Sequence, residues 1–154
     1  MEQKRLRQEL LLDLSLAMML ADGSADASEV AALKELAEST PYFSLLDTGV
    51  LIEAGVERVD ELRTVLIRDA ARIRDYAKEP RFRRRLFEVL LRVLRADGKV
   101  DAAEVIFLKS ALETVGMTGS ALIQLMPDAA EVLFTSAEPM ERASTRRVAF
   151  DTEL

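Results

Sequence analysis

The sequence predicts an all-α fold, a compact single-domain bundle of about seven helices containing two pseudo-repeated helical hairpins. Three observations carry that prediction. Leu, Ala, Glu and Arg dominate the chain, while only six Gly and four Pro punctuate its 154 residues. Those side chains lose little rotamer freedom in a helix. Apolar residues recur at helical spacing along nearly the whole chain. A helix–turn–helix segment is also written twice, since "ADGSADASEV" at 21–30 returns as "ADGKVDAAEV" at 96–105.

The first helix is expected from about residue 3 to Asp22, with Leu6, Leu10, Ala17 and Leu20 on one stripe. Leu11, Leu14 and Met18 widen that stripe almost all round, which suits a central helix. The second starts at Asp26, turns Val30, Leu33 and Leu36 inward, and stops before Pro41. A short helix covers about 44–57, weakened by Gly49 and Gly55. Asp60 then reads as the N-cap of a helix over 61–77 that buries Leu62, Val65, Leu66, Ala70 and Ile73.

A fifth helix begins near Pro80, which suits a first turn, and runs to Asp97. The sixth spans about 101–115, with Val105, Leu108 and Leu112 inward and Gly116 just past its end. Thr118 caps a last helix through Gln124. The repeat hairpins therefore occupy about 3–39 and 80–115. The domain is read as 1–134, and 135–154, which loses apolar periodicity, as a poorly ordered or loosely docked tail.

The chain contains no Cys and no His. That removes thiol and imidazole nucleophiles, serine–histidine–aspartate triads and zinc fingers. A metal would have to be held by oxygen ligands, which selects calcium, magnesium or manganese. No disulfide is possible, as a reducing compartment permits. "MEQKRLRQELLLDLSLAMMLA" has the basic start and apolar run of a signal peptide. Asp13 interrupts the run, however, and a matching helix recurs at 86–96, so it reads as the first helix of a cytoplasmic protein.

Residues 21–34 and 96–109 are identical at nine of fourteen positions. Much of this is explained by capping. Gly23 and Gly98 suit a left-handed residue ending a helix. Asp26 and Asp101 then cap the next helix, and Glu29 and Glu104 complete a capping box, each cap worth about 1 kcal/mol. Asp22 and Asp97 fit less well, because a carboxylate at a helix C-terminus opposes the macrodipole by roughly 0.3–1 kcal/mol. A divalent cation would reverse that sign, with Asp22, free carbonyls of the last turn and Glu29 as hard oxygen ligands. An Asp side chain bonding the amides of the turn explains it equally. The loop is not an EF-hand, since Gly follows the first Asp at once.

The "ADG" with a Glu six residues after its glycine, twice, between paired helices, resembles the TerB family of tellurite-resistance proteins and the N-terminal domain of DjlA-like co-chaperones. The resemblance spans roughly residues 5–126. It implies a compact helical fold whose acidic residues chelate a divalent metal, in a non-enzymatic module associated with stress response, metal handling and scaffolding at the inner membrane surface. The matching metal positions are Asp22 and Glu29, then Asp97 and Glu104, with Asp26 and Asp101 in support. Lys99 departs from the pattern by placing a positive charge inside the second turn.

Charge is unevenly spread. Residues 63–95 carry eleven Arg or Lys against four Asp or Glu, a net +7, and the remainder carries −13. Helical spacing sets Arg81, Arg84, Arg85, Arg92 and Arg95 near one side, with Glu88 at i±4 from Arg84 and Arg92. One reading is a solvated face laced by local ion pairs. The other is a docking surface for an acidic protein partner, a second copy forming a homodimer included, or for an anionic membrane surface met peripherally. Nucleic acid fits poorly in a chain of pI ≈ 4.9 with no Trp. Asp13 lies on the apolar stripe of the first helix and calls for a structural ion-pair partner.

Overall fold

The computed structural model describes residues 2–23, 25–95 and 101–136. Among them the chain is helical throughout: α1 (Glu2–Met19), α2 (Ala27–Ser39), a 3₁₀ turn at Pro41–Phe43, α3 (Thr48–Val56), α4 (Val59–Leu62), α5 (Val65–Arg68), α6 (Ala70–Tyr76), α7 (Pro80–Arg95), α8 (Ala102–Val115) and α9 (Gly119–Leu125), then a π-helical turn at Glu131–Ser136. The all-α expectation holds. Most of the expected tail, from residue 137, lies outside the described residues.

α1 is the axis of the molecule. Leu10, Leu11, Leu12, Leu14, Leu16, Ala17, Met18 and Met19 are all buried, so from Leu10 onward the helix is enclosed on nearly every side. It packs against α7, α3, α4, α5 and α8. Its buried Ser15 is satisfied locally, donating to the Leu11 carbonyl at 2.8 Å. Burying eight such apolar side chains, at roughly 1.5–3 kcal/mol for each of the larger ones, makes this helix a major contributor to the fold's stability.

α7 is the second core helix and the most extensive neighbour of α1. One cleft is lined by Lys4, Arg7 and Leu11 with Arg81, Phe82 and Arg85, and a second cavity by Met19 with Val93. The beginnings of α1 and α7 are thus together, as are their ends, and the two helices run parallel. The first turns of α2 and α8 lie at those ends too, since Glu29 and Glu104 line the same cavity as Met19 and Val93.

The expected helix over 61–77 is three short pieces, and Asp60 lies inside the first turn of α4 instead of capping it. Thr64 and Asp69 interrupt the helix, at φ/ψ of −102/11° and −107/20°. Thr64 donates its hydroxyl to the Glu61 carbonyl at 2.9 Å, and the Asp69 carboxylate draws in Arg68 and Arg72. Side chains of this kind offer the backbone local alternatives to a continuous helix. Leu62, Val65 and Ile73 are still buried, while Leu66 and Ala70 are half-buried. The short helix expected at 44–57 is α3, Thr48–Val56, and a 3₁₀ turn at Pro41–Phe43 precedes it.

Candidate cation site at the paired helix turns

Both repeated turns were expected to combine a left-handed glycine with a capping box. In the first, Gly23 has φ of 100°, and its amide donates to the Leu20 carbonyl at 2.8 Å. Asp26 caps α2: its Oδ1 accepts from the Glu29 amide at 2.8 Å. Reciprocally, the Asp26 amide donates to Glu29 Oε1 at 2.9 Å. In the second, Asp101 accepts from the Ala103 amide at 2.7 Å, and its own amide donates to Glu104 Oε1 at 3.3 Å. The capping box is complete in both copies. Asp97, Gly98 and Lys99 lie outside the described residues.

Asp22 stands differently from expectation. α1 ends at Met19, so Asp22 sits three residues beyond it, exposed, in the turn. The macrodipole acts within the last turn, and its objection to a carboxylate at Asp22 falls away. The turn also has a cationic neighbour that spacing alone did not suggest. A Cβ built on Gly23 would lie 3.9 Å from an Arg63 guanidinium nitrogen.

The two glutamates meet. Glu29 from α2 and Glu104 from α8 line one small cavity, walled by Met19, Leu33, Leu36 and Val93, with a volume of about 10 Å³. That is room for one water-sized particle. Glu104 is only 7% exposed, whereas Glu29 is half-buried. Each offers Oε1 to a cap amide, which orients the carboxylate. The parallel arrangement of α1 and α7 creates this meeting, since it brings both hairpins' equivalent positions to one place.

The donor set fits a hard cation in type, being oxygen only, and fits in part by number. Among the described residues no three acidic side chains gather as a ligand group. Calcium takes six to eight oxygens. Glu29 and Glu104 would supply two carboxylates toward such a shell, in a space with room for one water-sized particle, and Asp26 and Asp101 would keep those carboxylates in place through the capping boxes.

Around α7, Glu88 accepts from the Tyr42 hydroxyl at 2.5 Å and pairs with Arg92 at 3.7 Å. The Glu88 hydrogen bond holds the Tyr42 phenol above its ordinary pKa of 10.0, with burial adding to it. The expected Glu88–Arg84 pair is not formed. Arg95 donates to the Asp128 carbonyl at 2.8 Å. Local ion pairing therefore describes part of the arginine face. Asp13 has the partner it called for: Arg58 is 4.0 Å away. Burial pushes the Asp13 carboxyl up, and Arg58 and then Arg68 pull it down, with burial prevailing.

No single helix among the described residues is long and apolar enough to cross a membrane. No curated protein and no solved structure matches the chain. A family model does, that of "Tellurite resistance protein TerB", over residues 8–127. That stretch begins inside α1, takes in both capping boxes and the Glu29–Glu104 cavity, and ends just past α9; the chain belongs to the TerB family.

Proposed function

We propose that this chain is a non-enzymatic, divalent-cation-responsive interaction module of the tellurite-resistance type. The observation that carries the reading is the shared cavity of Glu29 and Glu104. Two carboxylates converging beside apolar side chains repel one another when both are ionised, and a cation between them converts that repulsion into a tie between α2 and α8. Calcium, magnesium or manganese is the class of ion that oxygen ligands select. Asp22 and Asp97 are the further acidic groups of the two turns, and Asp26 and Asp101 maintain the caps. Partner binding would follow from the cation's effect on how firmly the hairpins are held together.

The test separates ligation from capping. Gln serves as well as Glu in a capping box, so Glu29→Gln/Glu104→Gln keeps the caps and removes the charges. Thermal melting is measured after chelation, then with calcium, magnesium or manganese restored singly. At ~100-fold over the dissociation constant a cation adds about 2.7 kcal/mol, a rise of roughly 5–10 °C for a chain of this size. A rise in the wild type that is absent from the variant supports the reading. No rise with any of the three ions, or an equal rise in the variant, overturns it.

A second reading, a metal-independent adaptor, draws on α7. Arg84 is exposed and forms no ion pair with a described residue, and it lines a groove of about 360 Å³ with Arg92 and Arg95. An acidic partner docked there would be released by salt and indifferent to chelators.

A further inference from the structure

At the pole opposite the acidic turns, the beginnings of α1 and α7 enclose a cleft of about 410 Å³. Its wall brings together Lys4 and Arg7 from α1, Arg81 and Arg85 from α7, and Glu79 and Tyr42. Four cations face one carboxylate. The spacing explains the convergence: residues 4, 7 and 11 share one face of α1, and 81 and 85 share one face of α7.

Two of the cations are held in position by aromatic rings. The Arg7 guanidinium lies over the Tyr76 ring, 5.1 Å from its centroid. The Arg85 guanidinium lies over Tyr42, at 5.0 Å. A guanidinium stacked on a ring keeps its donors in the plane, at its edge, where a forked oxyanion is bound. Tyr42 is itself fixed by its bond to Glu88. Arg7 is paired with Glu79 through Nη2 at 3.3 Å, yet its buried Nε has no hydrogen-bond partner among the described residues. Lys4, Arg81 and Arg85 form no ion pair with a described residue. Of the four cations, only Arg7 is paired among the described residues.

We infer that this cleft between α1 and α7 binds a phosphate-bearing compound through Lys4, Arg7, Arg81 and Arg85. A phosphate monoester carries about −1.5 to −2 charge at neutral pH, which offsets much of the excess of cations. The volume falls within the range of small-molecule sites and exceeds what a bare phosphate needs, so the remainder of the compound rests on Leu11, Phe82 and Tyr42. The inference does not rest on the cation reading, which concerns the other pole.

The experiment titrates pyrophosphate into the full chain by calorimetry at constant ionic strength. Lys4→Gln/Arg81→Gln removes two exposed cations and leaves the fold intact, as a melting curve checks. Arg92→Gln/Arg95→Gln removes two cations of the neighbouring groove and serves as the control. The expected result is one saturable site, weakened at least tenfold in the first variant and less than twofold in the control. In a parallel arm, vesicles of phosphatidylcholine containing phosphatidic acid or phosphatidylserine are sedimented with the protein. Pyrophosphate binding with this variant pattern assigns a soluble compound. Capture by phosphatidic acid alone, lost in the same variant, assigns a lipid headgroup carrying the same chemistry. Equal loss in the control, equal capture by phosphatidylserine, or no binding in either arm overturns the inference.

Discussion

Two glycines in one helix should respond to alanine in opposite directions. Both lie in α3, and alanine improves the helix propensity of each by about 0.5–1 kcal/mol. Gly49 has open space around it, with nothing within 4 Å of an added Cβ. At Gly55 the added Cβ would lie 2.6 Å from Leu16 Cδ1, with Leu62 Cδ1 at 3.4 Å and Leu16 Cδ2 at 3.6 Å. Leu16 belongs to the enclosed central helix and is 1% exposed. Turning it exchanges one methyl contact for another, so α3 must retreat or the core must shift. Overpacking of this kind costs about 1–3 kcal/mol and outweighs the propensity gain. Gly55→Ala is therefore expected to lose about 0.5–2 kcal/mol, a fall in melting temperature of roughly 1–8 °C, while Gly49→Ala rises by roughly 1–4 °C. Urea and thermal unfolding of the two variants decide it. If Gly55→Ala is as stable as Gly49→Ala, then α3 does not rest on α1 through a glycine contact, and the packing account of the core is wrong.

Asp13→Asn should stabilise the protein at neutral pH. Burial holds the Asp13 carboxyl above 3.8, so the folded chain binds that proton more tightly than the unfolded chain. Wild-type stability therefore falls as pH rises from 3.8 through the raised value, and the advantage of the variant should shrink on acidification across the same window. Denaturant titrations from neutral to acid pH read this, and an advantage that grows on acidification contradicts it. For Tyr42, ultraviolet titration in a Tyr76→Phe background should place the phenol's midpoint above 10.0. Its proton favours the fold, a contribution present below pH 10 and lost as pH rises through the raised midpoint. Glu88→Gln should bring the midpoint down, and an unchanged midpoint would sever the link to Glu88.

Local features of this chain were legible where local chemistry decides them. Asp26 with Glu29, Asp101 with Glu104, and Thr118 cap their helices as read, because a cap is settled within four residues. Gly116 takes the left-handed conformation at the end of α8, with φ of 79°. The burial of α1 from Leu10 onward followed from the near absence of polar residues there. The breaks at Thr64 and Asp69 were hidden, because apolar spacing continues across them and only side-chain hydrogen bonding interrupts the backbone. The meeting of Glu29 with Glu104 was also hidden. It depends on α1 and α7 lying parallel, which is a matter of packing between distant segments. The basic cleft escaped notice for the same reason: the arginine-rich segment was visible, but Lys4 and Arg7 join it only in three dimensions.

The burial of α1 also bears on how the chain is made. Its most extensive partner, α7, is separated from it by residues 20–79. During synthesis α1 leaves the ribosome before its main neighbour, which is complete only once residue 95 has followed. At about 5–20 residues per second that interval is on the order of 4–15 s. For that time α3 to α5 can cover their own part of α1, and the face that α7 and α8 will cover stays open. A nascent chain halted between residues 60 and 80 therefore presents a sticky leucine surface, and it is at this stage that chaperone capture or aggregation competes with folding.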